Sequence, residues 1–183
     1  MGKRASKLTS RQISFIEQQQ LFFVATAMKD GCINLSPKGL DSFKIMNENR
    51  VLWLNLTGSG NETGTHLAND GRMTIMFCAF EGPPMILRLY GTAEVYHDYD
   101  VFWEEHISLF PEIAGSRQLI DMKVELVQTS CGMGVPLMVY KEQRTSLVQW
   151  AEDKGPDGLR EYWEEKNTLS LDGKETGILK KQP

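Results

Sequence analysis

The chain has 183 residues, of which 41% are hydrophobic and 24% charged, an ordinary globular composition that argues against a fibrous or disordered protein. The formal net charge of −4 and the pI near 5.5 argue against a dedicated nucleic-acid binder, which carries a basic excess. The sequence contains neither an apolar window of about eighteen residues nor a secretory leader. We therefore expect a cytoplasmic protein that does not enter a membrane.

The cysteines and histidines indicate neither a disulfide framework nor a metal site. Cys32, Cys78 and Cys131 lie far apart and form no Cys-x-x-Cys pair, so we expect reduced thiols. The three histidines lack the spacing of a metal-binding pair on one helix face. No metal is predicted.

The predicted elements run in chain order from a short helix into a series of strands. Thr9 and Gln12 form a capping box, which predicts a helix that ends near residue 20. Apolar or alternating runs bounded by turn residues predict strands at 21–28, 32–35, 51–56, 72–80, 85–96 and 118–128, with a short closing strand at 135–140. We expect the Ser-Pro-Lys-Gly run at 36–39 to break the ladder, and Gly91 to mark a bulge.

Helices are predicted in only a few places. Thr63 or Thr65 is expected to cap a short helix that Gly71 ends, and a second helix is expected over 98–109. Residues 143–166 predict a charged helical pair broken at a Gly-Pro-Asp-Gly sequence.

Several strands with few helices between them favour a mostly β fold with flanking helices, as a closed antiparallel barrel of about six strands. We assign this barrel to residues 1–142 and treat residues 143–183 as a helical extension of the same domain. Residues 169–183 have little periodicity and are expected to lie on the surface or to be partly disordered.

Two loops carry the residue types that bind a phosphate. The run at 36–39 offers a hydroxyl and the charge of Lys38, and the Gly-Ser-Gly-Asn-Glu-Thr run at 58–63 offers hydroxyls, an amide and glycines. The second loop leads into a helix start, where exposed N–H groups favour an anion. Walker spacing is absent. The alternative is that both loops are ordinary barrel turns.

Three further residues, all within predicted strands, are candidates for contact with a ligand. Ala25 and Thr26 lie in the first strand, where a flat ring could rest, although small residues also suit simple packing in a thin barrel. Arg88 is a charge within an apolar strand. Its side chain either faces solvent or is a buried cation paired with a ligand or partner subunit, since an unpaired buried charge is costly.

Together these segments resemble the pyridoxamine-phosphate oxidase-like family of FMN-binding split barrels, from about Phe15 to Tyr140. The pieces that carry the resemblance are residues 34–39, 54–63, 69–77, 88–91 and the Ser-Cys-Gly-Met-Gly-Val-Pro run at 130–136.

The resemblance implies a six-stranded split barrel that forms a homodimer, with two FMN molecules in grooves between the subunits. Lys38 matches the family lysine that contacts the FMN phosphate, and Ser59 matches a phosphate-loop serine. Gly60 and Asn61 stand where the family usually has Arg and Lys. The phosphate charge would therefore rest mainly on Lys38, with Arg88 or a partner-chain residue helping.

The predicted function is an FMN-dependent oxidoreductase acting on an unidentified small molecule, with no catalytic side chain assigned. The Arg-Leu-containing segment that grips the vitamin phosphate in the true oxidases has no counterpart after Tyr140, so we expect another substrate. The alternatives are a non-catalytic flavin- or haem-binding sensor and a deazaflavin-dependent reductase, against which Glu62 argues. The candidate cofactor-binding residues are Ala25, Thr26, Asn34, Ser36, Lys38, Ser59, Asn61, Thr63 and Arg88.

Overall fold

The structure, a computed structural model, describes residues 2–179 as one antiparallel sheet with helices around it. The strands are β1 (Lys3–Ala5), β2 (Phe22–Thr26), β3 (Asn34–Lys38), β4 (Phe43–Asn47), β5 (Arg50–Leu56), β6 (Arg72–Cys78), β7 (Ile86–His97) and β8 (Ser116–Ser130). The helices are α1 (Ser10–Glu17), α2 (Glu62–Asn69), α3 (Val101–His106) and α4 (Ser146–Lys166), with a 3-10 turn at Ile107–Leu109.

The strands follow the order β3-β2-β6-β7-β8-β5-β4, and β1 pairs with β8. Within residues 2–179, no backbone pairing joins β3 to β4, so the ladder is not closed. The structure therefore confirms a mostly β antiparallel fold with flanking helices but not the six-stranded closed barrel. The six longer strands predicted from the sequence all form, and β1 and β4, which the sequence reasoning missed, bring the number found within residues 2–179 to eight.

The core lies on one face of the sheet, where alternate strand residues pack together. Val24, Ile75 and Leu89 are fully buried neighbours from three adjacent strands. A second apolar cluster, which includes Leu54 and Leu119, lies on the other face of β5 and β8 beneath α3. These two strands are therefore buried on both faces, which explains the nearly continuous apolar sequence of β5.

Two local predictions are confirmed. The capping box of α1 forms, because the Gln12 amide donates to Thr9 Oγ1 at 3.4 Å and the Thr9 amide donates to the Gln12 side chain at 2.8 Å. The pairing of β7 with β8 shifts register between Tyr90 and Gly91. Gly91 is required there, since a Cβ would lie 1.9 Å from a β8 carbonyl oxygen.

Other local predictions were wrong. The ladder continues through Pro37, which stands opposite Phe23, because β3 is an edge strand and an edge tolerates a missing N–H. The N-cap of α2 is Asn61, so Thr63 and Thr65 lie inside the helix. Residues 135–140 run without a ladder, and no closing strand forms there.

The C-terminal extension packs onto the sheet domain. α4 kinks at Gly155, whose φ of 65° is not helical, before Pro156 begins the second half. Trp163 of α4 is 8% exposed. In the stretch 169–179, which was expected to lie on the surface or to be partly disordered, Ser170, Thr176 and Ile178 are buried. The prediction for residues 180–183 lies outside the described residues. No helix between residues 2 and 179 is both long and apolar enough to span a bilayer.

Candidate functional site

The inner face of β3 brings residues of the first predicted loop toward the second. Alternation along the strand places Asn34, Ser36 and Lys38 on one face, with Asn34 opposite Thr26 of β2. β3 is an edge strand whose only backbone partner within residues 2–179 is β2. The side chains of Asn34 and Lys38 contact residues of α2 and β5. Asn34 Nδ2 donates to Thr63 Oγ1 at 3.1 Å, and Lys38 Nζ lies 5.0 Å from the centre of a ring of β5, that of Trp53.

A buried hydrogen-bond network links three of the predicted residues. Asn34 Nδ2 also lies 3.4 Å from Thr26 Oγ1, which in turn lies 3.1 Å from His66 Nδ1. His66 is 1% exposed, and its Nε2 has no hydrogen-bond partner among the described residues. Thr26, Asn34 and Thr63 are thus brought together around a histidine that the sequence reasoning did not select.

The start of α2 presents unpaired donors. Within the part of the chain that the structure describes, no hydrogen bond is made by the amide N–H groups of residues 58–64. Asn61 is 1% exposed, and neither its Oδ1 nor its Nδ2 has a partner in that range. A Cβ on Gly64 would lie 2.8 Å from Gln118 Nε2 and 3.0 Å from Asn61 Oδ1, so only glycine lets these groups approach the helix.

A chain of amide groups fixes the neighbouring side of the cluster. Asn55 Nδ2 donates to Gln118 Oε1 at 2.9 Å, which leaves Gln118 Nε2 to donate to His97 Nε2 at 3.1 Å. Burial, the largest effect, lowers the pKa of His97 and so favours the neutral imidazole, whose Nε2 can accept this hydrogen bond.

Every buried side-chain polar atom that lacks a partner within residues 2–179 belongs to this region. The residues that carry these atoms are Asn55, Asn61, Thr65, His66 and Arg117. Buried polar atoms in folded proteins are almost always paired, with protein, water or ligand. The concentration of orphaned donors and acceptors beside a helix start therefore fits a strongly polar ligand group such as a phosphate.

Lys38 is a partly buried cation without a counter-ion. Burial, followed by the positive charge of Arg117, lowers the pKa of Lys38 to about 8. None of the ion pairs found within residues 2–179 includes Lys38, whose ammonium instead lies over the ring of Trp53. At neutral pH this amine remains charged and can accept an anion.

Arg117 is the residue that the sequence reasoning missed. Its side chain is buried, and Nη1 donates to the Gly60 carbonyl at 3.1 Å and to Asn167 Oδ1 at 2.7 Å. The only signal in the sequence was a charge directly before the alternating run 118–128. Asn167 Nδ2 also donates to the Gly58 carbonyl at 3.1 Å, so the C-terminal extension holds the loop that the sequence assigned to phosphate.

Ala25 and Arg88 lie apart from this cluster, whereas Ser59 lies in the loop that precedes α2. Ala25 faces the opposite side of the sheet, where with Tyr90 it lines an open cleft of about 540 Å³. Arg88 is partly buried and donates to Ser130 at 3.1 Å. Ser59 is exposed and makes no hydrogen bond within residues 2–179.

Comparison with known proteins identifies the family. The family model of pyridoxamine 5′-phosphate oxidase matches residues 8–131. The pyridoxamine 5′-phosphate oxidase family protein ustO of Aspergillus flavus is 38% identical over 174 residues, which cover 85% of this chain and 70% of that protein. The chain belongs to the pyridoxamine 5′-phosphate oxidase family. The resemblance found in the sequence is thereby confirmed.

Solved structures support the same fold. A candidate pyridoxamine 5′-phosphate oxidase from Lactobacillus delbrueckii matches 67% of this chain and 94% of its own, with 21% identity and a TM-score of 0.53. HupZ of Group A Streptococcus matches 65% of this chain and 92% of its own, with 19% identity and a TM-score of 0.51.

Since the family match ends at residue 131, α4 and Asn167 lie beyond it. Within residues 2–179, no three His, Cys, Asp or Glu side chains cluster as a metal site would require.

Proposed function

We propose that this chain binds FMN between two copies of itself and that the bound flavin makes it an oxidoreductase for a small molecule. One observation carries the proposal. The orphaned buried polar atoms cluster around the start of α2, and Lys38, a cation without a carboxylate partner in the described chain, lies near enough to the buried Arg117 of this cluster for that charge to lower its pKa. Such a surrounding stabilises an anion.

The phosphate would be held by one charge and several neutral donors. Lys38 would supply a charge-assisted hydrogen bond, and the unpaired N–H groups of residues 58–64 would converge on the oxygens. Asn61 Nδ2 and the Thr63 hydroxyl lie at the same helix start. The hydroxyl of Ser59, which faces solvent, is free to turn toward a ligand.

The ring would lie along β3. This strand pairs only with β2, so its outer backbone edge is unpaired within residues 2–179 and offers donors and acceptors to ring heteroatoms. Ile33 is 77% exposed and Leu35 is 64% exposed beside that edge, which gives apolar surface for a flat ring or a partner subunit. A flavin in such a groove supplies hydride and electron transfer, while the protein binds and orients it.

The segment after β8 supports a homodimer. Residues 131–145 contain no helix or strand, yet Met133, Leu137 and Val139 are 80%, 80% and 91% exposed. Soluble monomers seldom display a large continuous apolar patch, and stable protein interfaces bury about 800 Å² per partner. We propose that this segment packs against the second copy.

The test begins with the absorbance spectrum of the freshly purified protein and an FMN titration. We expect flavin absorbance, a dimer in sedimentation, and reduction by NAD(P)H followed by reoxidation on a substrate. Lys38→Ala should weaken FMN binding by about 1–3 kcal/mol, equivalent to about 5- to 150-fold. Lys44→Ala is the matched control, since Lys44 pairs with Asp41 at 3.0 Å on β4.

The outcomes separate the candidates. A protein that neither carries nor binds FMN refutes the proposal, as does equal FMN affinity in Lys38→Ala and the wild type. Flavin that binds tightly but cannot be reduced and reoxidised would instead indicate a non-catalytic flavin-binding protein.

A further inference from the structure

The guanidinium of Arg117 is buried without a counter-ion. Its side chain is 4% exposed, and within residues 2–179 it forms no ion pair. Nη1 is satisfied by two neutral acceptors, the Gly60 carbonyl and Asn167 Oδ1, whereas Nε has no partner in that range. A buried cation is costly unless an opposite charge compensates it, and the described chain supplies none.

A bulge aims this side chain at the phosphate loop. Asn55 of β5 pairs with Gln118, but the next residue, Leu56, pairs with Ser116, so Arg117 has no partner on β5. Such an extra residue bends a strand and redirects its side chain. Arg117 therefore reaches the carbonyl of Gly60 instead of following the alternation of β8.

The charge of Arg117 lies close enough to Lys38 to affect its pKa. Its positive charge is the second cause of the low pKa of Lys38, after burial. The one acidic side chain of the loop, Glu62, is occupied elsewhere, because it accepts the Leu171 amide at 2.9 Å. Two like charges close enough to disfavour each other are stabilised when an anion binds between them.

We propose that Arg117 is the second cation that binds the flavin phosphate, and that Asn167 positions it from the C-terminal extension. This inference rests on the proposed function. The loop at 58–63 contains no Lys or Arg. The C-terminal extension instead holds Arg117 beside this loop. Asn167 forms hydrogen bonds with Arg117 and with the Gly58 carbonyl, and Trp163 Nε1 donates to Thr57 Oγ1 at 2.9 Å.

The experiment compares FMN with riboflavin, which has the same ring but no phosphate. Dissociation constants of both ligands are measured at pH 7 by flavin fluorescence for the wild type, Arg117→Gln and Arg117→Lys. We expect the preference for FMN to fall at least about tenfold in Arg117→Gln, since one charge-assisted bond is lost, and to survive largely in Arg117→Lys. Arg160→Gln, which removes an exposed charge from α4, should leave the preference unchanged.

A folded Arg117→Gln that keeps the wild-type preference overturns the inference. If Arg117→Gln does not fold, Asn167→Ala decides, because it frees the guanidinium without removing its charge. We expect that variant to lose part of the FMN preference with riboflavin affinity retained, and an unchanged preference overturns the inference. Loss of preference in Lys38→Ala but not in the Arg117 or Asn167 variants rejects this inference alone. A wild type without FMN preference rejects the proposed function as well.

Discussion

The pKa of Lys38 makes FMN affinity depend on pH in a defined direction. In the free protein burial and the charge of Arg117 hold that pKa at about 8. A phosphate stabilises the charged amine, so the pKa of Lys38 rises in the complex and FMN binding takes up a proton. Affinity is therefore highest well below pH 8 and falls as the pH rises through 8.

The magnitude follows from the fraction of Lys38 that is charged. With a pKa of about 8, this fraction is about 90% at pH 7 and about 10% at pH 9. FMN affinity should therefore fall about tenfold between these values if the pKa in the complex lies above 9, a difference of about 1.4 kcal/mol. The second ionisation of the phosphate, with a pKa near 6, is about 90% complete at pH 7 and therefore contributes little.

The assay is a fluorescence titration of FMN at intervals between pH 7 and pH 9 at constant ionic strength. Riboflavin, which lacks the phosphate, is the ligand control and should bind with little change over the range. Lys38→Arg is the protein control, because a guanidinium stays charged throughout and should abolish the dependence. Constant FMN affinity in the wild type, or the same decline in Lys38→Arg, would show that the charge of Lys38 does not bind the phosphate.

Three other substitutions test the packing of the C-terminal extension, the bulge in β7 and the proposed dimer interface. Trp163→Phe removes the hydrogen bond to Thr57 and should lower the free energy of unfolding in urea by about 1–2 kcal/mol; an unchanged value would mean that the extension does not brace the loop. Gly91→Ala places a Cβ against backbone and should lower the free energy of unfolding by about 3 kcal/mol, whereas Gly134→Ala, with open space around it, should unfold like the wild type. Val139→Asp should shift sedimentation toward monomer, and a persistent dimer would exclude residue 139 from the interface.

Local signals were enough where the geometry is fixed by adjacent residues. Both partners of the capping-box hydrogen bonds, Thr9 and Gln12, lie within one turn of the sequence, and α1 begins where this pair predicts. Gly91 could be predicted as a bulge because it interrupts an otherwise apolar strand, and the register shifts beside it.

Sheet edges could not be predicted from local sequence. Pro37 predicts a break in the strand pairing unless its strand lies at the edge of the sheet. Whether β3 is an edge strand depends on how distant strands pair, which the local sequence does not indicate. β4 was missed because it follows an unusual turn in which Leu40 and Asp41 have φ values of 65° and 49°, conformations that non-glycine residues rarely adopt. No Gly or Asn marks those two positions.

The candidate site was predictable only in part for a related reason. Thr26, Asn34, Lys38 and Thr63 were selected from loops and strands whose composition suits a phosphate. Side-chain hydrogen bonds bring Thr26, Asn34 and Thr63 together, and Lys38 lies farther along the same face of β3. Arg117 has no such signature, since its burial depends on a bulge between β5 and β8 and on a hydrogen bond to a residue 50 positions away. Long-range contacts of this kind leave no trace in a single sequence.

A crystal structure of the protein grown with excess FMN would show whether these loops bind the flavin phosphate. We expect a phosphate at the start of α2, with an oxygen about 2.7–3.2 Å from Lys38 Nζ and from amides of residues 58–64, in a groove completed by a second copy. A flavin whose phosphate lies elsewhere, or a start of α2 that faces bulk solvent with no phosphate bound, would contradict this expectation.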